Sequence, residues 1–275
     1  MKGIGVRGIG PWRPPRIHRN RDEPVMRFQV MGERCSGTNY LSKLILQNVP
    51  GLEETRDAGW KHGFVLPRGA CQPSLLVLII VRHPVRWIQS VHRAPWELAQ
   101  HMHALQFAAF IRAPWEPVSS GNAQADELDF DPASGLPFSN AWAMRAAKIE
   151  HHEALADMPC NAAYLRHEDV NRDPARTLRA LADGFGLSLA PQITDVRTYK
   201  ESRTAPYLPR QFPPISPEDR AFLDTAIDQT TENKLGYDHR HVPLHDGLGS
   251  FSYPVMLRRW KMAKARLGLG RPIKP

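Results

Sequence analysis

Apolar residues along this chain fall into short runs separated by glycine, proline and charge. Arg27–Met31 (RFQVM) is the first β-prone run. A Gly/Ser-rich turn over 32–38 follows, and then Leu41, Leu44 and Ile45 recur at helical spacing until Val49-Pro50-Gly51 stops them. Leu75–Val81 (LLVLIIV) is apolar at every position, as a parallel strand covered on both faces should be. A helix follows at once, with Pro84 in its first turn and Trp87, Ile88 and Val91 on one face. Ala162–Arg166 predicts a third strand. Asp173-Pro174 opens the next helix as N-cap and first residue, Leu178 and Leu181 lie on its inner face, and Gly184 and Gly186 end it. Ser216-Pro217 opens another, carrying Phe222, Leu223 and Ile227. Strands alternating with helices predict an α/β fold, here a three-layer α/β/α arrangement around a mostly parallel central sheet.

Other stretches lack this order. Residues 1–26 show neither period and read as a basic flexible tail. Residues 94–137, rich in Pro, Ala, His and Trp, read as an insertion or lid. A helix over 140–156, with Trp142, Ala146, Ile149 and Glu153 on one side, returns the chain to the sheet. In 251–275, Met256, Trp260, Ala263 and Leu267 form one stripe among Arg258, Arg259, Lys261, Lys264 and Arg266. Such a basic amphipathic helix either lies on an anionic membrane or packs on its own domain with the charges in water.

Composition narrows the picture. The chain has 275 residues, 42% hydrophobic and 23% charged, which excludes collagen-like, disordered and disulfide-framework classes. No apolar run approaches the roughly 20 residues of a membrane-spanning helix. Cys35, Cys71 and Cys160 are widely spaced, with no CxxC pair, so neither zinc nor a disulfide framework is signalled and a reducing cytoplasm fits best. No signal-peptide-like apolar region stands near the N-terminus. The net charge of +8 belongs to the ends: residues 1–27 contribute +5 and 251–275 contribute +7, while the rest carries −4.

Three constellations carry the candidate chemistry. Gly32-Glu-Arg-Cys-Ser-Gly37-Thr38-Asn39 lies between a predicted strand and a predicted helix. Backbone N–H groups and the helix dipole there suit a phosphate, although a plain glycine turn has the same pattern. The spacing matches the nucleotide P-loop except that Thr38 stands in place of the lysine, which argues against triphosphate hydrolysis. This makes the first strand–loop–helix P-loop-like. Arg82 stands at the carboxyl end of the apolar strand with Ser90 eight residues on, and a guanidinium and hydroxyl so placed could hold a second phosphate. His167, in Arg166-His-Glu-Asp-Val170, ends the third strand and could stack on a base or donate to a phosphate, with Glu168 and Asp169 structural.

Together and in order over residues 27–237, these motifs resemble the sulfotransferases that use 3′-phosphoadenosine 5′-phosphosulfate. The resemblance implies a sulfotransferase-like domain over 27–250. Arg34, Cys35, Ser36, Gly37, Thr38 and Asn39 would hold the 5′-phosphosulfate. Arg82 and Ser90 would hold the 3′-phosphate, with His167 where the family usually has tyrosine. Asp173-Pro174 with Thr177-Leu178, then Gly184–Leu187, and Leu235-Gly-Tyr237 resemble later parts of the same domain.

The family usually has Lys or Arg directly before Ser-Gly-Thr; here it is Cys35, with Arg34 one earlier, so Arg34, Lys43 or Lys61 would supply the charge. Trp60-Lys61-His62-Gly63 sits where relatives carry a Lys and a His. His62 is therefore the expected base and Lys61 the group that neutralises the leaving oxygen, with Arg34 the third catalytic candidate. His83, His92, His101, His103 and Glu97 are rival bases. Arg197, Lys200, Arg203 and Arg210 mark a basic loop that in relatives closes over the 3′-phosphate. The reaction implied is sulfuryl transfer to a hydroxyl or amine, with 3′-phosphoadenosine 5′-phosphosulfate as donor and no metal. The acceptor would be a small molecule or a glycan, lipid-linked glycans included. The chain is expected in the cytoplasm or peripheral to the inner face of a membrane through 251–275, with no specific nucleic-acid partner. A P-loop kinase or NTPase with a displaced lysine is the alternative. Oligomeric state is not legible.

Overall fold

The computed structural model describes residues 11–119, 129–196, 198 and 212–242. The strands are β1 (Arg16–Arg19), β2 (Arg27–Met31), β3 (Glu53–Glu54), β4 (Leu75–Val81) and β5 (Asn161–Arg166). The helices are α1 (Thr38–Asn48), α2 (Pro67–Ala70), α3 (Pro84–Arg93), α4 (Phe107–Phe110), α5 (Ala141–Glu153), α6 (His167–Arg172), α7 (Pro174–Phe185), α8 (Pro217–Ala226) and α9 (Gln229–Lys234). The fold is mixed α/β, on a five-stranded sheet ordered β1-β5-β4-β2-β3. All neighbours run parallel except β1 against β5.

The apolar run of β4 makes it the centre. All seven residues are buried, and β4 pairs with β2 from Arg27↔Leu75 to Met31↔Ile79 and with β5 from Leu76↔Asn161 to Val81↔Arg166. Its alternate side chains feed two cores. Leu76, Leu78 and Ile80 pack with Leu41, Leu44 and Ile45 of α1 and with Leu178, Leu181 and Phe185 of α7. Val77, Ile79 and Val81 pack with Ile149 of α5 and with Val65 and Ala70 on the other face. A third core joins Val85, Trp87, Ile88 and Val91 of α3 to Met102, Phe110, Ile111 and Trp115. The described part of 94–137 is therefore packed structure, and Phe110 and Trp115 are core residues.

Four expectations need correction. Residues 1–26 are not all tail: β1 pairs with β5 from Arg16↔Tyr164 to Arg19↔Asn161. Its single apolar residue, Ile17, packs against the first core, and Arg16 lies over the Tyr164 ring with its carbon 4.5 Å from the centroid. Gly184 does not end α7, which runs to Phe185 and stops at Gly186 in the left-handed region, φ +68°. Gly184 is instead where Ile17 approaches: a Cβ there would sit 2.3 Å from Ile17 Cδ1. Cys71 and Cys160, 89 residues apart, are joined as a disulfide, bridging the end of α2 to the residue before β5. Finally, α5 spans Ala141–Glu153, and of the side expected to face inward Ala146 and Glu153 are only half-buried, while Arg145, Lys148 and His152 are buried with Trp142, Met144 and Ile149. The stretches 1–10, 120–128 and 243–275, with Arg197, Lys200, Arg203 and Arg210, lie outside the described residues, and so does the expected C-terminal basic helix.

Candidate active site

In this strand order the chain leaves β2 toward β3 on one side and re-enters at β4 on the other. Open sheets bind ligands outside the carboxyl ends of strands at such a reversal. The loop after β2 and Arg82 after β4 both lie there.

The loop over 32–37 turns on two residues with positive φ that glycine tolerates, Gly32 at +155° and Gly37 at +102°, and on Cys35 at +65°. A Cβ at Gly32 would lie 2.3 Å from the Ile80 carbonyl oxygen, so only glycine lets the loop pass β4 so closely. The Ser36 N–H donates back to the Glu33 carbonyl (3.1 Å), which tightens the turn. Gly37 is the N-cap of α1. Among the described residues no side chain caps this helix and its first turn carries no acid. The free N–H groups of the first turn and the positive end of the helix dipole therefore face the loop. Ser36 Oγ is fully buried beside them, with no hydrogen-bond partner among the described residues.

Arg82 and Ser90 meet as their spacing predicted. Arg82 Nη1 donates to Ser90 Oγ (2.8 Å) and to the Cys35 carbonyl (2.9 Å), so one guanidinium ties the end of β4 to α3 and to the loop. His167 packs from β5 against the same loop: a Cβ on Gly37 would be 2.5 Å from its Cδ2. Asn171 Nδ2 lies 2.9 Å from the His167 ring and fixes it. Glu168 accepts from the His83 N–H (2.8 Å) and the Tyr237 hydroxyl (2.6 Å), and Asp169 pairs with Arg166 (3.1 Å), so both acids are structural.

Lys61 and His62 reach the loop from its other side. Lys61 Nζ donates to Asn39 Oδ1 (2.6 Å) in the first turn of α1. It thus supplies a cation near the position where the P-loop lysine is missing. His62 is buried between the rings of Trp60 and Trp96, both centroids 5.2 Å away. Its Nδ1 lies 2.8 Å from the Gly32 carbonyl oxygen, which can only accept, so Nδ1 carries the proton and Nε2 is the basic nitrogen. Burial, reinforced by the charge of Lys61, pushes the His62 pKa well below its ordinary value and keeps the ring neutral.

Arg34 is placed differently from expectation. Its guanidinium forms a two-point ion pair with Asp129 (2.7 and 2.9 Å) and also donates to the Glu97 carbonyl (3.2 Å). It lies near the faces of Trp60 and Trp115, with its carbon 5.0 and 5.4 Å from the ring centroids. Its side chain is spent on a buried carboxylate, so the expected cations that reach the loop are Lys61 and Arg82. Asp129 is missing from the sequence reading because its partner lies 95 residues away and no local pattern marks it. Cys35 gives its carbonyl to Arg82, and it stands outside the disulfide.

The rival bases have other duties. His92 Nε2, on α3, lies 3.0 Å from the Leu105 carbonyl and His103 Nε2 3.1 Å from that of Leu98, so both rings face carbonyls of the packed insertion. His101 is exposed beside Glu116 (3.7 Å). His83 is buried at the start of α3, and desolvation lowers its pKa to about 4. Lys43 is half-buried on α1. Of the candidate bases, His62 is the one whose ring hydrogen-bonds the loop after β2, through Nδ1 to the Gly32 carbonyl.

No protein-family model matches this chain, and no curated protein does either.

Proposed function

We propose that this chain is a sulfotransferase that moves a sulfuryl group from 3′-phosphoadenosine 5′-phosphosulfate to a hydroxyl or amine. The observation that carries this reading is the double contact of Arg82, which joins Ser90 to the Cys35 carbonyl of the glycine loop. Two anion subsites are then linked by one guanidinium, as a donor phosphorylated at both ribose ends requires. Among the described residues no side chain caps the start of α1 and none pairs with the buried Ser36 Oγ, and both features fit an anion in the first subsite. The finer fold assignment, a three-layer sheet with a P-loop-like first unit, belongs to this proposal.

On this reading the N–H groups of residues 37–39 and the Ser36 hydroxyl hold the 5′-phosphosulfate, and Lys61 offsets negative charge on the leaving oxygen. Arg82 and Ser90 hold the 3′-phosphate, and His167 walls the loop. His62 Nε2 takes the acceptor's proton while the new sulfur–oxygen or sulfur–nitrogen bond forms and the bond to the leaving phosphate oxygen breaks. Arg34 enters through its backbone alone. The acceptor class proposed is a small molecule or glycan. An NTPase with a displaced lysine would want an acidic magnesium ligand after β4, where Arg82 stands instead.

Among the described residues no helix is long and apolar enough to cross a membrane. Peripheral membrane contact through 251–275 is part of the proposal, and the Cys71–Cys160 disulfide counts against the reducing cytoplasm expected from the sequence. The test is a radiolabelled-donor assay across hydroxyl and amine acceptors, run beside His62→Ala. Transfer to any acceptor that His62→Ala abolishes supports the reading. No transfer to any acceptor, together with magnesium-dependent ATP hydrolysis, refutes it.

A further inference from the structure

α5 presents two buried cations, three residues apart, to the two sides of the candidate site. Arg145 Nη2 donates to the Arg82 carbonyl (2.9 Å) and to Glu232 (2.9 Å), and Nη1 lies 3.4 Å from Glu33. It has carboxylates enough to account for it. Lys148 is the less expected one. It is fully buried, and its Nζ donates to a main-chain carbonyl, that of His62, at 2.8 Å. Its carboxylate, Asp129, is farther off at 3.3 Å and is shared with Arg34 and the Trp115 indole. A buried ammonium is costly, and an apolar side chain of similar length would fill the space without that cost.

Segment 61–62 is fixed at four points. The Gly32 N–H donates to the Lys61 carbonyl (2.9 Å), His62 Nδ1 meets the Gly32 carbonyl (2.8 Å), and Lys61 Nζ meets Asn39 (2.6 Å). Those three join the segment to the loop and α1. The fourth, from Lys148 of α5, holds the His62 carbonyl from an element other than the loop and α1.

We propose that Lys148 is a positioning residue for His62: anchored by Asp129, its ammonium holds the His62 main chain where ring nitrogen Nδ1 meets the Gly32 carbonyl, which fixes Nε2 as the basic nitrogen. The hydrogen bond on one ring nitrogen selects the tautomer and so decides which nitrogen can accept a proton. The importance of this for catalysis rests on His62 being the base; the placement itself does not. The charged groups around His62 are Lys61 on its own segment, Arg34 from the loop and Lys148 from α5, with Asp129 behind the last two; the neutral rings of Trp60 and Trp96 flank it.

The experiment is nitrogen-15 NMR of the histidine rings in the full chain, for the native protein, Lys148→Met and Lys148→Gln, with folding checked by thermal denaturation. The native protein should show His62 protonated at Nδ1 and bare at Nε2. A folded Lys148 variant should show a mixed or reversed tautomer and a His62 titration moved up toward the ordinary value of about 6.5. A folded variant whose His62 signals match the native ones overturns the proposal. So does failure of both variants to fold, since Lys148 is then a stability residue alone. The sulfotransferase reading fails separately, if adenosine 3′,5′-bisphosphate binds no better than AMP while the His62 signals behave as expected.

Discussion

Gly37→Ala tests the loop geometry where it matters most. Gly37 has φ +102°, which an L side chain rarely adopts. That strain costs roughly 1–3 kcal/mol. The new Cβ would also lie 2.5 Å from His167 Cδ2 and 3.2 Å from Nε2. His167 cannot swing away cheaply, because it is 1% exposed and held by Asn171. Overpacking of this kind adds about 1–3 kcal/mol, so the total should be roughly 2–6 kcal/mol. Gly51→Ala supplies the control: φ is also positive, +81°, but a Cβ there meets nothing within 4 Å. It should show the backbone term alone. Urea denaturation of both variants, at unchanged m-value, reads the difference directly. If Gly37→Ala costs no more than Gly51→Ala, the contact between loop and His167 is wrong.

Asp129→Asn keeps shape but leaves Arg34 and Lys148 buried opposite a neutral amide, and should cost about 3–5 kcal/mol by denaturation. Asp57→Asn, at the partly exposed ion pair with Arg27, should cost under about 1 kcal/mol. Burial lowers the pKa of His83 to about 4, and of His62 and His152 well below the ordinary value. The unfolded chain therefore takes up protons below about pH 6.5 where the native chain does not, so stability is complete above that pH and falls as the pH drops. His83 alone should remove about 2 kcal/mol between pH 7.5 and 5, and a flat urea midpoint over that range would contradict the burial of these rings. Thiol titration of the unfolded, unreduced chain should find Cys35 alone, and reduction should expose Cys71 and Cys160 as well.

The elements that position the site are legible because each has a local cause. β2 and β4 match the predicted runs to the residue, and α7 and α8 start at Asp173 and Ser216, whose side chains accept from the Arg176 and Asp219 N–H groups. Arg82 and Ser90 could be paired in advance because a strand end and a residue about two turns into the helix that follows leave few relative placements. What escapes is long-range. Arg34 reads as a cation beside a phosphate loop until Asp129 arrives from the insertion to claim it. Lys148 and Arg145 draw no notice in the sequence, because nothing near them in the chain shows that a carbonyl or carboxylate will face them. β1 has one apolar residue in four and so no period to detect, and the Cys71–Cys160 pair carries no spacing signal.

The most direct test of the central claim is calorimetry with adenosine 3′,5′-bisphosphate, comparing the native chain, Arg82→Ala and Ser90→Ala, with AMP as reference and folding checked by circular dichroism. A lost hydrogen bond from a charged group is worth about 1.5–3 kcal/mol, so Arg82→Ala should weaken the bisphosphate roughly 10- to 150-fold and leave AMP nearly unchanged. Ser90→Ala should act in the same direction by less. A native chain that binds the bisphosphate no more tightly than AMP, or a folded Arg82→Ala protein that binds it undiminished, would contradict the account.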